Sequence, residues 1–149
     1  MIIKIRFYNY IYLMEEKCNY LFVYGTLLAH GNEFAAYLKQ HCYFYSTGKF
    51  KGRLYDIGEY PGAISADTDQ FVHGSIFVIN DLDEVFTKLD DYEGFGYDQP
   101  QPNEFVRELI NIETNQEKLK CWVYLYNLPT KGLWQIDSGD YSQYMKFKF

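Results

Sequence analysis

A carboxylate at the wrong end of a helix is the first candidate for chemistry in this chain. The run Leu89-Asp90-Asp91-Tyr92-Glu93-Gly94-Phe95 closes an amphipathic segment with an acidic residue directly before a glycine. The negative end of the helix dipole favours Lys or Arg at such a position. That dipole and the aromatic neighbours both disfavour the charged form of Glu93, so its pKa is expected to rise. A carboxylate tuned upward suits a general base that then serves as a general acid near neutral pH, whereas Asp90 and Asp91 read as solvated. The competing reading of Glu93 is a surface residue of a frayed helix end. The second candidate is Tyr24-Gly25-Thr26-Leu27, at the end of a buried strand. A glycine there, held in a conformation that disfavours a Cβ, lets consecutive backbone N–H groups converge on an anion. Taken alone, Tyr-Gly-Thr is equally an ordinary strand-to-turn tripeptide.

Other chemistries find no support. There is no P-loop, no dinucleotide fingerprint and no pair of histidines at metal-ligand spacing, since His30, His41 and His73 are isolated. Cys18, Cys42 and Cys121 are odd in number and far apart, with no C-x-x-C pair, and read as reduced thiols of a cytoplasmic protein; Cys42 and Cys121 are taken as packing residues. The formal net charge of −6 opposes phosphate backbones and anionic lipid, and the basic residues do not cluster. The 20% aromatic content therefore reads as core and not as a base-stacking surface. Every hydrophobic stretch is interrupted well before the ~18 apolar residues of a membrane-spanning helix. Neither a nucleic acid nor a membrane is an expected partner.

The elements that must position the two candidates follow from periodicity. Tyr20-Leu21-Phe22-Val23-Tyr24 reads as a strand apolar on both faces, and residues 32–40 as a short helix capped by Asn32. Residues 43–57 read as two strands bent at Gly48 or Gly52, followed by the loop Gly58-Glu59-Tyr60-Pro61-Gly62. Residues 71–79 form a further strand, in which Gly74 marks a bulge or a close backbone approach. The strongest helix covers residues 81–92: Leu82, Val85, Phe86 and Leu89 share one face, Asp81 and Glu84 form a capping box, and Gly94 supplies the stop. Strands at 105–113 and 118–126 are joined through Thr114-Asn115-Gln116-Glu117 as a hairpin. In the second of them Leu119, Cys121, Val123 and Leu125 face one way and Trp122, Tyr124 and Tyr126 the other, so the strand needs cover on both sides. The tail from Lys131 to Phe149 shows no strong period. At 149 residues the chain has room for one domain of the α+β class, a mixed sheet curled into a small barrel with flanking helices.

Taken in order, Tyr24-Gly25-Thr26-Leu27, Gly52-Arg53-Leu54-Tyr55, Tyr60-Pro61-Gly62, Val72-His73-Gly74 and Leu89-Asp90-Asp91-Tyr92-Glu93-Gly94 resemble the gamma-glutamylcyclotransferase-like family. The resemblance covers about Tyr20 to Asn127, and its most specific parts are the Y-G-T-L turn and the D-x-Y-E-G helix end. It implies a small mixed β-barrel with flanking helices, and conversion of a gamma-glutamyl amine or small peptide to 5-oxoproline and a free amine, with no cofactor. By resemblance, Tyr24, Gly25, Thr26 and Leu27 hold the gamma-glutamyl group and Glu93 carries the proton. The leaving-group side is expected among Tyr60, Tyr97, Arg107 and Tyr124. The only partner implied is this small-molecule substrate, bound by a monomer or homodimer.

A non-catalytic small-molecule binding module on the same fold is the competing reading. Glu93 favours the enzyme, because a site built only for a carboxylate gains nothing from a second, repelling one. Residues 1–19 read as an N-terminal extension to a domain over 20–149, with Met14-Glu15-Glu16 as an alternative start and residues 1–13 dispensable.

Overall fold

A computed structural model describes residues 18–25 and 34–148. The seven strands in it are β1 (Tyr20–Val23), β2 (Cys42–Asp56), β3 (Pro61–Ser65), β4 (Phe71–Ile79), β5 (Phe105–Glu113), β6 (Lys118–Tyr126) and β7 (Trp134–Gln135). The described helices are α1 (Ala35–His41), α2 (Leu82–Glu93) and α3 (Tyr141–Lys148). Strands β2, β4, β1, β6 and β5 hydrogen-bond in that order, and β5 returns to β2 at Glu113 and Lys49, which closes a five-stranded barrel. Strands β3 and β7 attach to β2 outside the ring. All of these pairings are antiparallel except β1 with β6, so the sheet is mixed, as expected.

Side-chain alternation divides the core into two bodies. Phe22 of β1, Phe50 of β2, Val72 and Ile76 of β4, and Cys121, Val123 and Leu125 of β6 cluster on one face of the strands. Leu21 and Val23 of β1, Ile79 of β4 and Tyr124 of β6 lie on the opposite face, where they meet Leu38 of α1 and Val85, Phe86 and Leu89 of α2. The two-sided burial expected for β1 and β6 is met in this way. Cys42 and Cys121 are buried packing residues, with burial pushing their thiols up to about 11 and about 12.

Helix α2 begins and ends as its sequence dictates. The Asp81 side chain accepts a hydrogen bond from the Glu84 N–H, and Gly94 adopts the left-handed conformation (φ 71°, ψ 32°) that stops the helix. The Gly94 and Phe95 N–H groups donate back to the carbonyls of Asp91 and Asp90, which fixes the last turn and hence Glu93. The interior of β4 is a close approach: a Cβ on Gly74 would stand 2.4 Å from the Val23 carbonyl oxygen. Strands β1 and β4 can therefore pair tightly up to the point where Tyr24 leaves the sheet.

Three expectations need correction. Residues 43–57 are not two strands bent at a glycine but one, β2, whose register slips between Phe44 and Ser46 and whose two ends pair with β4 and β3. Pro61 and Gly62 are not loop but the start of β3, where proline loses no ladder hydrogen bond. The tail contains α3, a helix of little amphipathicity that tertiary contacts hold: Tyr144 and Lys148 both donate to Asp56 at the end of β2. Helix α1 starts at Ala35, with Phe34 in the cap position and no side-chain cap bond. Asn32, the expected cap, and the extension 1–13 with Met14 lie outside the described residues.

Candidate active site

Where β1 ends, the chain passes through Tyr24 and Gly25 beside the C-terminus of α2. A cavity of about 300 Å³ opens there, walled by Val23, Tyr24 and Gly25, by Glu59, Tyr60 and Pro61 ahead of β3, by Tyr92 and Glu93, by Glu104 and Phe105 at the start of β5, and by Tyr124 of β6. A larger groove of about 780 Å³ shares Val23, Tyr24 and Gly25 but is otherwise built mainly from β2 and β4 residues such as Thr47, His73 and Ser75 and from polar loop residues such as Thr114, Asn115 and Asp140. Glu93 faces the smaller cavity, so that is where proton chemistry is placed.

Tyr24 braces the cavity floor. Its hydroxyl donates to the Tyr124 carbonyl oxygen at 2.5 Å and accepts from the Ala63 N–H at 3.2 Å, tying β1, β6 and β3 together. Burial, and after it the charge of Glu93, raise the Tyr24 phenol well above its ordinary range, so it stays protonated as a hydrogen-bonding strut. Gly25 is needed for a reason other than the one expected. It does not occupy the positive-φ region, unlike Gly94; a Cβ on it would instead lie 2.9 Å from Cγ of Pro61. Close packing of the Pro61 ring against Gly25, not backbone handedness, requires glycine at the mouth of the site.

Glu93 has its pKa raised to about 7, first by burial and then by the negative charge of Glu104. The sequence anticipates the direction and the aromatic surroundings; it does not reveal Glu104. Among the described residues no lysine, arginine or hydrogen-bond donor meets the Glu93 carboxylate. Glu104 is held from the opposite wall, where the Tyr60 hydroxyl donates to its Oε1 at 2.5 Å and the Asn127 N–H donates to its carbonyl oxygen at 2.8 Å. Burial, followed by this carboxylate, raises the Tyr60 phenol. The Tyr60 ring lies tilted over Phe105, with centroids 5.9 Å apart.

Tyr24, Gly25, Tyr60, Glu93 and Tyr124 are thus brought together as the sequence suggests. Tyr97 and Arg107 are not: Tyr97 is fully exposed, and neither lines the cavity. Arg107 leaves the expected side because a better environment claims it. Its guanidinium makes a two-point ion pair with Asp90 at 2.9 and 3.2 Å and stacks on Phe86 and Trp122 at 4.1 and 4.6 Å. Asp90 is accordingly no solvated residue; it also accepts the Tyr124 hydroxyl at 2.7 Å, which binds the end of α2 to the cavity wall. Thr26 and Leu27 lie outside the described residues. Sequence reasoning missed Glu59 and Glu104. Glu104 carries no motif, and its one cue is its place between a Pro- and Gln-rich loop and a strand.

Among the described residues no group of His, Cys, Asp and Glu is arranged to hold a metal ion, and no helix is long and apolar enough to cross a membrane. The profile of the family described as "Gamma-glutamyl cyclotransferase, AIG2-like" matches residues 21–143. A Vibrio cholerae protein provisionally named a gamma-glutamylcyclotransferase is 32% identical over 127 residues, which cover 83% of this chain and 95% of that one. The gamma-glutamylcyclotransferase family protein YtfP of Escherichia coli K12 is 30% identical over 122 residues, 81% of this chain and 94% of its own. The solution structure of Escherichia coli ytfP superposes with a TM-score of 0.59 at 28% identity, covering 82% of this chain and 95% of that one. Barrel and sequence agree, and the chain belongs to the gamma-glutamylcyclotransferase, AIG2-like family.

Proposed function

We propose that the protein is a cytoplasmic gamma-glutamylcyclotransferase, which releases 5-oxoproline and an amine or amino acid from a gamma-glutamyl amine or small peptide. The observation that carries this reading is Glu93, a carboxylate that meets no partner among the described residues and has a pKa of about 7, facing a cavity of small-molecule size. The α-amine of the substrate is protonated in water and cannot attack. Glu93 removes that proton, the freed nitrogen attacks the γ-carbonyl carbon, and a tetrahedral oxyanion forms. Collapse breaks the bond to the leaving nitrogen, which takes the first proton from Glu93; the regenerated carboxylate accepts the second proton of the ring nitrogen and passes it to the released amine, which departs as an ammonium ion. One group near neutrality is suited to both transfers, and no cofactor enters the balance.

Tyr24 and Gly25, with Thr26 and Leu27 after them in the family motif, are assigned to the gamma-glutamyl group, and Tyr60 and Tyr124 to the side of the leaving amine. Folding the substrate so that its amine meets its own carbonyl supplies the positioning contribution. Backbone donors at the turn supply charge stabilisation. A binding module alone would hold a carboxylate ligand better with a neutral residue in place of Glu93. Chromatographic detection of 5-oxoproline across gamma-glutamyl amines and dipeptides tests the reading: release by the wild type and its loss in Glu93→Gln are expected. A wild type silent across the panel would overturn it in favour of the binding module.

A further inference from the structure

The cavity carries more negative charge than the cyclisation needs. Glu59, Glu93 and Glu104 line it, and among the described residues no lysine, arginine or histidine does. The reaction uses one of these carboxylates. Keeping Glu104 beside it places a second negative charge in a small, partly buried space and opposes ionisation of Glu93, unless a positive charge arrives with the ligand. Glu104 is also a built feature and not a stray surface acid. It is half-buried, Tyr60 donates to one of its oxygens at 2.5 Å, and the end of β6 anchors its backbone. Among the described residues no basic side chain pairs with it. Tyr60 and Glu104 stand together on the cavity wall, with the Tyr60 ring against Phe105, so apolar surface leads to the carboxylate.

We infer that Glu104, held by Tyr60, selects substrates whose leaving amine carries a second positive charge, that is, gamma-glutamyl derivatives of diamines or polyamines. This rests on the cyclotransferase reading and names its substrate class. A leaving amino acid would bring its own carboxylate toward Glu104 and be repelled, a neutral alkylamine would gain only apolar contact, and a distal ammonium would complete the pair. Glu104 is a specificity residue in this scheme and takes no part in proton transfer.

Three substrates of matched length test it: the mono-gamma-glutamyl amides of 1,4-diaminobutane, butylamine and 4-aminobutanoate, with distal charges of plus one, zero and minus one. At low salt kcat/KM is expected to fall in that order by about tenfold per step, the size of one partly screened charge contact. In Glu104→Gln the ratio of cationic to neutral substrate is expected to collapse toward one. Tyr60→Phe, which keeps the carboxylate but frees it, is expected to reduce the ratio by a smaller factor, and covers the case in which Glu104→Gln does not fold. Equal kcat/KM across the series overturns the inference and leaves the cyclotransferase reading intact. So does an equal loss on all three substrates in Glu104→Gln, because Glu104 would then serve the α-ammonium they share. Calorimetric titration of Glu93→Gln with the same three compounds reads binding without turnover. The same order there, with no 5-oxoproline from the wild type, would remove the catalytic reading and keep Glu104 as the cation-selecting residue.

Discussion

Two carboxylates, each at the end of an element, meet opposite fates in this barrel. Asp56 ends β2 and Glu93 ends α2, and burial works against the charged form of both. At Asp56 the burial is outweighed by hydrogen bonds from Tyr144 at 2.6 Å, Lys148 at 2.9 Å and the Gly58 N–H at 2.8 Å, and its pKa falls below the ordinary value. At Glu93 nothing in the described protein opposes burial, Glu104 adds to it, and the pKa climbs to about 7. Asp56 is complete without a ligand and pins α3 to the sheet. Glu93 is left for something that the protein does not supply, and the gamma-glutamyl ammonium is the proposed partner. Pairing, not burial, separates the structural acid from the chemical one.

The largest test of that contrast is Glu93→Gln, which keeps the shape and removes the proton carrier. A fall of about 10³–10⁴ in kcat is expected, the upper part of the range for acid–base help, since one group serves two steps. A variant retaining activity within about tenfold would break the contrast at its centre.

The next concerns who supplies Glu93 with a partner. If the turn after β1 holds the substrate carboxylate, 5-oxoproline at a hundred times its Kd stabilises the wild type by about 2.7 kcal/mol. Gly25→Val places side-chain atoms where Pro61 already lies 2.9 Å from a Cβ, and that thermal shift is expected to vanish. An undiminished shift would put the ligand elsewhere.

Stability sharpens the comparison because the two acids have opposite signs. The folded pKa of Glu93 lies above the ordinary 4.5, so folded protein holds a proton that unfolded chain has lost, and stability falls as pH rises from about 4.5 to about 7. Removing the group in Glu93→Gln is expected to raise stability by about 2 kcal/mol at pH 8, a Tm gain of roughly 4–8 °C, with little change at pH 4. Asp56 stabilises above its unfolded pKa and loses that contribution as pH falls through its lowered folded value. Asp56→Asn is therefore expected to lower Tm at pH 7, to matter less in acid and to leave turnover unchanged. Lys148, its charged partner, is exposed, so the loss is small.

A finer effect separates the two causes acting on Glu93. In wild type, kcat/KM is expected to rise with pH through about 7 as the base ionises. Glu104→Gln removes a neighbouring negative charge, so that limb moves to lower pH by less than about one unit, burial remaining the larger cause. An unmoved limb would show that Glu104 does not act on Glu93.

Much of this was legible one segment at a time. The strand at 71–79, the helix from Asp81 to Gly94 and the hairpin strands at 105–113 and 118–126 announce themselves because period, caps and turn residues are local. The direction of the Glu93 shift could be read from the helix end and its aromatic neighbours, but its two causes, burial and the charge of Glu104, come from tertiary packing. The single long β2, the strand begun at Pro61 and α3 could not be read locally, because each is decided by partners: β4 and β3 for the first, β2 for the second, and Asp56, 88 residues before Tyr144, for the third.

For function, the division has the same physical basis. By itself the sequence determined the candidate proton carrier at the end of α2, the glycine after β1, and two-faced strands that require a covered barrel, because residue type and short spacing suffice for each. Tertiary structure alone decided that Arg107 pairs with Asp90 and so stays out of the cavity. It also decided that Gly25 is required by Pro61, and that Glu104 and Tyr60 stand across from Glu93. Charge, close approach and desolvation depend on distances between residues far apart in the chain, and barrel closure sets those distances.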